Sequence, residues 1–208
     1  MENSYTTARC EATDKFEEKK SIFYGFIKPI EEEEEALEFI EKIRRDMPNM
    51  RHVCYAYVNR GGNVVRFSDD HEPQGTAGMP ILEVIRREGL TGVVIAVARY
   101  FGGILLGAGG LTRAYGKAAK LALDAAGKAT FVLYHEVEVT SDYSAFQKIS
   151  YELQKMGIEP LDVKYEAEIK ATLLASDVEL NEIQSKVSDV TAGKGKVETV
   201  GERFAPEK

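Results

Sequence analysis

The chain has 208 residues, of which 44% are hydrophobic and 29% charged, and its net charge is −7. That balance belongs to a folded globular chain and excludes the disordered and collagen-like classes. The longest apolar stretch, residues 92–98, has a strand's length and is closed by Arg99, so no membrane span and no membrane partner are expected.

The N-terminus lacks a basic-then-apolar leader pattern. Only Cys10 and Cys54 occur, far apart and outside any CxxC spacing. Both read as small core residues of a protein in a reducing cytoplasm rather than as a bridge or a metal site. Charge is unevenly spread. Residues 51–128 hold ten Lys/Arg against six Asp/Glu, while the chain from 131 onward holds nine against fifteen. A mildly basic centre beside an acidic C-terminal part is compatible with an anionic partner at the centre.

In chain order, residues 5–13 alternate weakly and predict a strand, 14–18 a turn, and 19–29 a second strand. Residues 31–46 predict a helix, with glutamates in its first turns, Arg44 and Arg45 in its last, and Pro48 beyond. Residues 51–59 and 64–68 predict a hairpin around Gly61–Gly62–Asn63. A short helix follows over 77–87, a buried strand over 92–99, and an Ala-rich helix over 111–126 closed by Gly127. Beyond it the pattern is a strand over 131–141, a helix over 142–156, a strand over 161–174, a helix over 177–190 and a strand over 194–204. One further strand near 157–160 is unclear. The order is β-α-β-β-α-β, the ferredoxin-like split pattern. The fold class is therefore α+β in two domains, residues 1–130 and 131–208.

The densest chemistry lies between Asp69 and Lys117. Glycines 102, 103, 107, 109 and 110 precede a helix carrying Thr112, Arg113, Tyr115 and Lys117. Bare backbone at a helix start beside a cation is suited to an anion. The spacing is neither GxGxxG nor GxxxxGK[ST], so the named nucleotide motifs lend nothing. The competing reading is that these glycines let strand and helix pack closely, with Arg113 solvated. Arg99, Tyr100 and Phe101 would stack bases and pair phosphates, or else form a strand end with Phe101 in the core and Arg99 paired to Asp69 or Asp70.

Asp69, Asp70, His71 and Glu72 form an acidic loop that could hold a metal or do acid/base work. Adjacent residues in extended chain point alternately, so a rigid loop carrying a salt bridge or a helix cap is the stronger reading. No metal ligand set, catalytic residue or cofactor is assigned. His52 reads as a satisfied, partly buried histidine. No serine or cysteine sits in a nucleophile motif.

RHVCYAY (51–57), SDDHEPQGTAGMP (68–80), ARYFGG (98–103) and LGAGGLTRAY (106–115) together resemble the signature of the YigZ/IMPACT family. The motif-bearing part covers about residues 15–127, and the remainder is similar to the small C-terminal domain of bacterial members. His71 stands where many relatives would carry glycine.

The resemblance implies a ribosomal-protein-like β-α sandwich for the first domain. It implies a ferredoxin-like second domain similar to the C-terminal part of elongation factor G. It also implies a link to translation, since eukaryotic members regulate initiation through a protein partner.

The function expected is thus a non-enzymatic cytoplasmic protein linked to translation regulation. It would bind RNA or the ribosome through the motif face of domain one, with domain two free to contact a protein. The alternative is an enzyme or binder acting on a phosphorylated small molecule or nucleotide, held at the Gly-rich helix start, with the Asp69–Glu72 loop supplying a base or metal ligands.

Overall fold

The computed structural model describes residues 3–207. The chain divides into two compact units, Tyr5–Thr130 and Phe131 onward, and Asn3 and Ser4 group with the second. The strands and helices follow the order β1(Ser4–Ala8), β2(Ala12–Glu18), β3(Ser21–Pro29), α1(Glu33–Asp46), β4(His52–Val58), β5(Val65–Ser68), α2(Gly78–Arg87), β6(Val93–Tyr100), α3(Ala108–Ala126), β7(Lys128–Ser141), α4(Tyr143–Lys155), β8(Asp162–Tyr165), β9(Ile169–Ala175), α5(Asp177–Thr191) and β10(Lys196–Pro206).

In the first unit an antiparallel sheet runs in the order β2-β3-β6-β4-β5. β6 is its central strand and is covered on both faces, which is why Val93–Ala98 reads as a continuous apolar run rather than an alternating one. Side chains of a strand alternate between faces. Val93, Ile95 and Val97 accordingly join a core with Phe23, Ile27 and Cys54 under α2 and α3. Val94, Ala96 and Ala98 join the opposite core with Phe39, Ile40 and Ile43 of α1.

α1 begins with Glu33, Glu34 and Glu35 and ends with Arg44 and Arg45, matching its dipole. The Tyr57 hydroxyl donates to Glu33 and ties this helix to β4. α3 buries Ala114, Ala118, Ala119, Ala122 and Ala126, side chains small enough to bring its backbone close to the sheet. Opposite them, Gly25 leaves no room for a side chain. A Cβ there would overlap the Ala118 carbonyl and lie 3.1 Å from the Ala122 Cβ.

The second unit is the βαββαβ arrangement: β10, β7, β9 and β8 are neighbours in that order and all antiparallel. Asp142 caps α4 by accepting from the Ala145 N–H at 2.8 Å. Ser176 and Glu179 form a reciprocal capping box on α5. Val137, Val139, Leu173, Ile149 and Ile183 are in the core between this sheet and its two helices.

Four expectations are corrected. Residues 5–13 are not one strand: the chain breaks after Ala8, and the segment read as a turn, 14–18, is strand β2, with its hairpin turn displaced to Lys19–Lys20. Residues 161–174 form two strands, because the chain turns back between Tyr165 and Ile169. Cys10 is exposed rather than a core residue, while Cys54 is fully buried.

Substituting Gly25→Ala should force α3 off the sheet and lower stability by about 1–3 kcal/mol, the usual cost of overpacking. Urea unfolding should show the midpoint falling with the slope unchanged.

Candidate functional site

The acidic loop and the glycine crossover meet at one end of the first sheet. β6 delivers Arg99 to the α2/α3 side, in register with Phe23 of β3 and His52 of β4. α3 delivers Tyr115, and the loop before α2 delivers Glu72. Glu72 Oε1 accepts from Arg99 Nη1 at 2.6 Å and from the Tyr115 hydroxyl at 2.8 Å.

The Arg99 and Glu72 side chains are only 6% and 5% exposed, and Tyr115 is wholly buried. The Arg99 guanidinium lies 5.4 Å from the ring centroids of both Phe23 and Phe101. Arg99 is therefore neither a surface phosphate ligand nor a partner of Asp69 or Asp70. Tyr115 is likewise a core residue rather than a contact on the motif face. Strand parity carries the reason: Arg99 continues the inward row of Val93, Ile95 and Val97.

The remaining carboxylates of the loop are committed separately. Asp69 accepts backbone N–H bonds from Gly75 (2.8 Å), Ala77 (2.9 Å) and Gly78 (2.9 Å), closing the loop over the start of α2. Burial alone would raise its pKa, but these three donors outweigh it and hold the carboxyl below its ordinary value. Asp70 accepts from the Val53 N–H at 2.7 Å and from Arg44 at 3.3 Å, and its carbonyl meets His52 Nδ1 at 2.8 Å.

The three carboxylates thus diverge onto different donors. Among the described residues no three His, Cys, Asp or Glu side chains are grouped as a metal ion would need. His71 is exposed and has φ +70°, a backbone region that favours glycine. Cys54 donates its thiol to the Asp69 carbonyl at 3.0 Å, and burial pushes its pKa far up, so it is held as an inert thiol. Burial, then the nearby Cys54 and Glu72, pushes the Tyr115 hydroxyl far up as well and keeps it a donor.

Outside this buried cluster the motif face is open. Tyr100 and Phe101 are 48% and 39% exposed, and Leu105, at the tip of the crossover, is 81% exposed. Gly102 donates to Ser21 Oγ at 3.2 Å, and a Cβ on it would run into the Lys20 carbonyl. Gly103 and Gly107 have positive φ, and Gly107 is the N-cap of α3, which has no side-chain cap. Gly109 and Gly110 lie inside the first turn of α3, so the helix starts three residues before the expected Leu111.

A cleft of about 290 Å³ opens beside that turn, lined by Phe16, Glu18, Lys19, Leu106, Gly110, Arg113, Ala114 and Lys117. Arg113 and Lys117 therefore share it, whereas Thr112 lines a different groove, between α2 and α3. Lys117 Nζ stands 4.3 Å above the Phe16 ring. Lys19, Lys20, Arg113 and Lys117 enter no ion pair among the described residues. Phe16 and Lys19 in the cleft and Lys20 against Gly102 lie outside the motif residues that the sequence points to. The signal for them in the sequence is a pair of lysines between two alternating runs, which marks the turn between β2 and β3.

Residues 19–123 match the Impact N-terminal domain, and residues 139–194 match the domain of unknown function DUF1949. The chain is similar to "IMPACT family member YvyE" of Bacillus subtilis, at 34% identity over 95% of this chain and 91% of that protein. It is similar to "IMPACT family member YigZ" of Escherichia coli at 31% identity, over 84% of this chain and 87% of that one. A crystal structure described as that of a hypothetical protein aligns at a TM-score of 0.62 with 28% identity, covering 97% of this chain and 99% of the other.

Two outcomes test the site's architecture. Glu72→Ala leaves the Arg99 charge buried without a partner and should cost about 3–5 kcal/mol, read from denaturant unfolding. Asp69→Asn should destabilise the protein at neutral pH, because a carboxyl depressed on folding contributes stability above the unfolded carboxylate pKa of about 3.9. That contribution is lost as pH falls through the folded value, so the gap between variant and wild type should close below about pH 4 in a pH series of melts.

Proposed function

The chain belongs to the IMPACT family, and on that footing we propose that it binds RNA, free or within the ribosome, through the motif face of its first domain. The observation that carries this reading is the cleft beside α3. Three cations, Lys19, Arg113 and Lys117, surround it against the single carboxylate of Glu18. On the same domain, Tyr100 and Phe101 are exposed at the end of β6. Cations tracking a phosphate backbone beside aromatic rings that accept bases are the working parts of RNA-binding surfaces. The acidic overall charge is no obstacle, since association depends on the local field around the cleft more than on the net value.

Roles divide accordingly. Arg113, Lys117, Lys19 and Lys20 contact phosphates and Phe101 offers stacking, while Tyr100, out of phase with Arg99 on β6, is exposed on the opposite side of the sheet from the cleft. Arg99, Glu72 and Tyr115 act as positioning residues that hold the strand end and the first turns of α3 in place. The rival reading, catalysis on a phosphorylated small molecule, needs Asp69, Asp70 or Glu72 as base or metal ligand. Those carboxylates are spent on Gly75, Ala77, Gly78, Val53 and Arg99.

The test is co-sedimentation with ribosomes and binding to bulk RNA at ~50 and ~200 mM salt, for wild type and for Arg113→Ala/Lys117→Ala. Both substituted residues are exposed, so the fold should be kept. Wild-type binding should weaken with salt, and the double variant should bind more weakly with its log–log salt slope reduced by about 1.4. Absence of wild-type binding at either salt overturns the proposal.

A further inference from the structure

The turn between β2 and β3 is built against its own backbone preference. Glu18 pairs with Ser21, so the loop has only two residues, Lys19 and Lys20. Both have positive φ, +47° and +64°. Two-residue hairpin turns of this kind favour Asn-Gly, because a side chain on a left-handed backbone crowds the following carbonyl. Lysine at both positions is strained locally. Nor is either side chain needed for the fold, since both are exposed and neither makes an ion pair among the described residues. Strain kept without a structural return marks a position held for contact with something outside the chain.

The position of the turn says what that contact is. Lys19 lines the 290 Å³ cleft opposite Arg113 and Lys117, with Phe16 and Leu106 supplying apolar wall. The Lys20 carbonyl lies directly against Gly102, leaving no space for a side chain there. The lysine turn is thereby in register with the crossover that follows Tyr100 and Phe101.

Building on the RNA reading above, we infer that this cleft is a subsite for one unpaired nucleotide of a single-stranded RNA, with Lys19 and Lys20 among its phosphate ligands. A cleft of this size, at the lower end of ligand-site volumes, accepts one nucleotide and not the ridge of a double helix. Bases in a duplex are stacked on each other and cannot reach the half-exposed ring of Phe101, whereas an unpaired base can be splayed onto such a ring.

The experiment compares wild type with Lys19→Asn/Lys20→Gly, the pair of residues this turn geometry prefers. Fluorescence anisotropy is measured with a labelled single-stranded RNA of roughly 12 nucleotides and with the same RNA annealed to its complement, across a salt series. Thermal unfolding is recorded for both proteins. Wild type should bind the single strand about tenfold or more tightly than the duplex. The variant should melt higher, because the turn is relieved, yet bind the single strand several-fold more weakly, with a salt slope lower by about 1.4.

If wild type binds RNA but does not distinguish single strand from duplex, the subsite inference falls while the broader RNA reading stands. The same holds if the Asn-Gly variant binds as wild type does. A variant that melts no higher shows that the lysines are not strained and removes the ground for the inference. If wild type binds neither RNA, both readings fall together.

Discussion

The pairing of Arg99 with Glu72, braced by the Tyr115 hydroxyl, is the interaction on which the rest of this end of the first domain depends. It joins three separate pieces of chain at one carboxylate oxygen: the end of the central strand, the loop before α2, and the second turn of α3. Two charges taken out of water are costly, and their attraction offsets that cost only when the geometry is good and further hydrogen bonds share the load. Here the donors stand at 2.6 and 2.8 Å from one acceptor, and the guanidinium is flanked by the rings of Phe23 and Phe101. The arrangement carries specificity more than stability: an apolar replacement could fill the space but would not define the relative placement of the three pieces.

From that constraint the surface follows. With Arg99 turned inward, Tyr100 is directed to the other side of the sheet and Phe101 emerges over the guanidinium. With Tyr115 anchored to Glu72, the exposed flank of α3 presents Arg113 and Lys117 to the cleft. The loop carrying Glu72 is itself held by Asp69 at the start of α2 and by Asp70 on β4. The most charged stretch of the sequence is thus a scaffold, and the chemistry available to a partner lies on its neighbours. In this division, buried polar groups fix where the exposed cations and rings stand.

The second domain depends on different means. Its helices are capped by Asp142 and by the Ser176–Glu179 box, and its sheet follows the alternating pattern of a one-sided core. These are local devices, which is why the βαββαβ order was readable in the chain. The single failure there, reading residues 161–174 as one strand, arose because Lys164, Tyr165 and Glu166 continue the polar alternation through a turn that no glycine or proline marks.

What the sequence determined by itself were the features with short-range causes: the periodicity of α1, the Ala-rich face of α3, the doubly buried run of β6, the shaped character of the acidic loop, and the family motifs. What only the tertiary structure decided was the direction and company of particular side chains. Arg99 read as a surface cation because its neighbours Tyr100 and Phe101 are exposed, yet it meets Ser21 across 78 positions and Glu72 across 27. Lys19 and Lys20 read as the start of a strand, yet they form a strained turn against Gly102 and α3. Whether a charge is buried or solvated depends on which distant segments pack over it, and a pattern of period two or 3.6 holds no record of that packing. The partners of these charges are therefore a property of the folded chain alone.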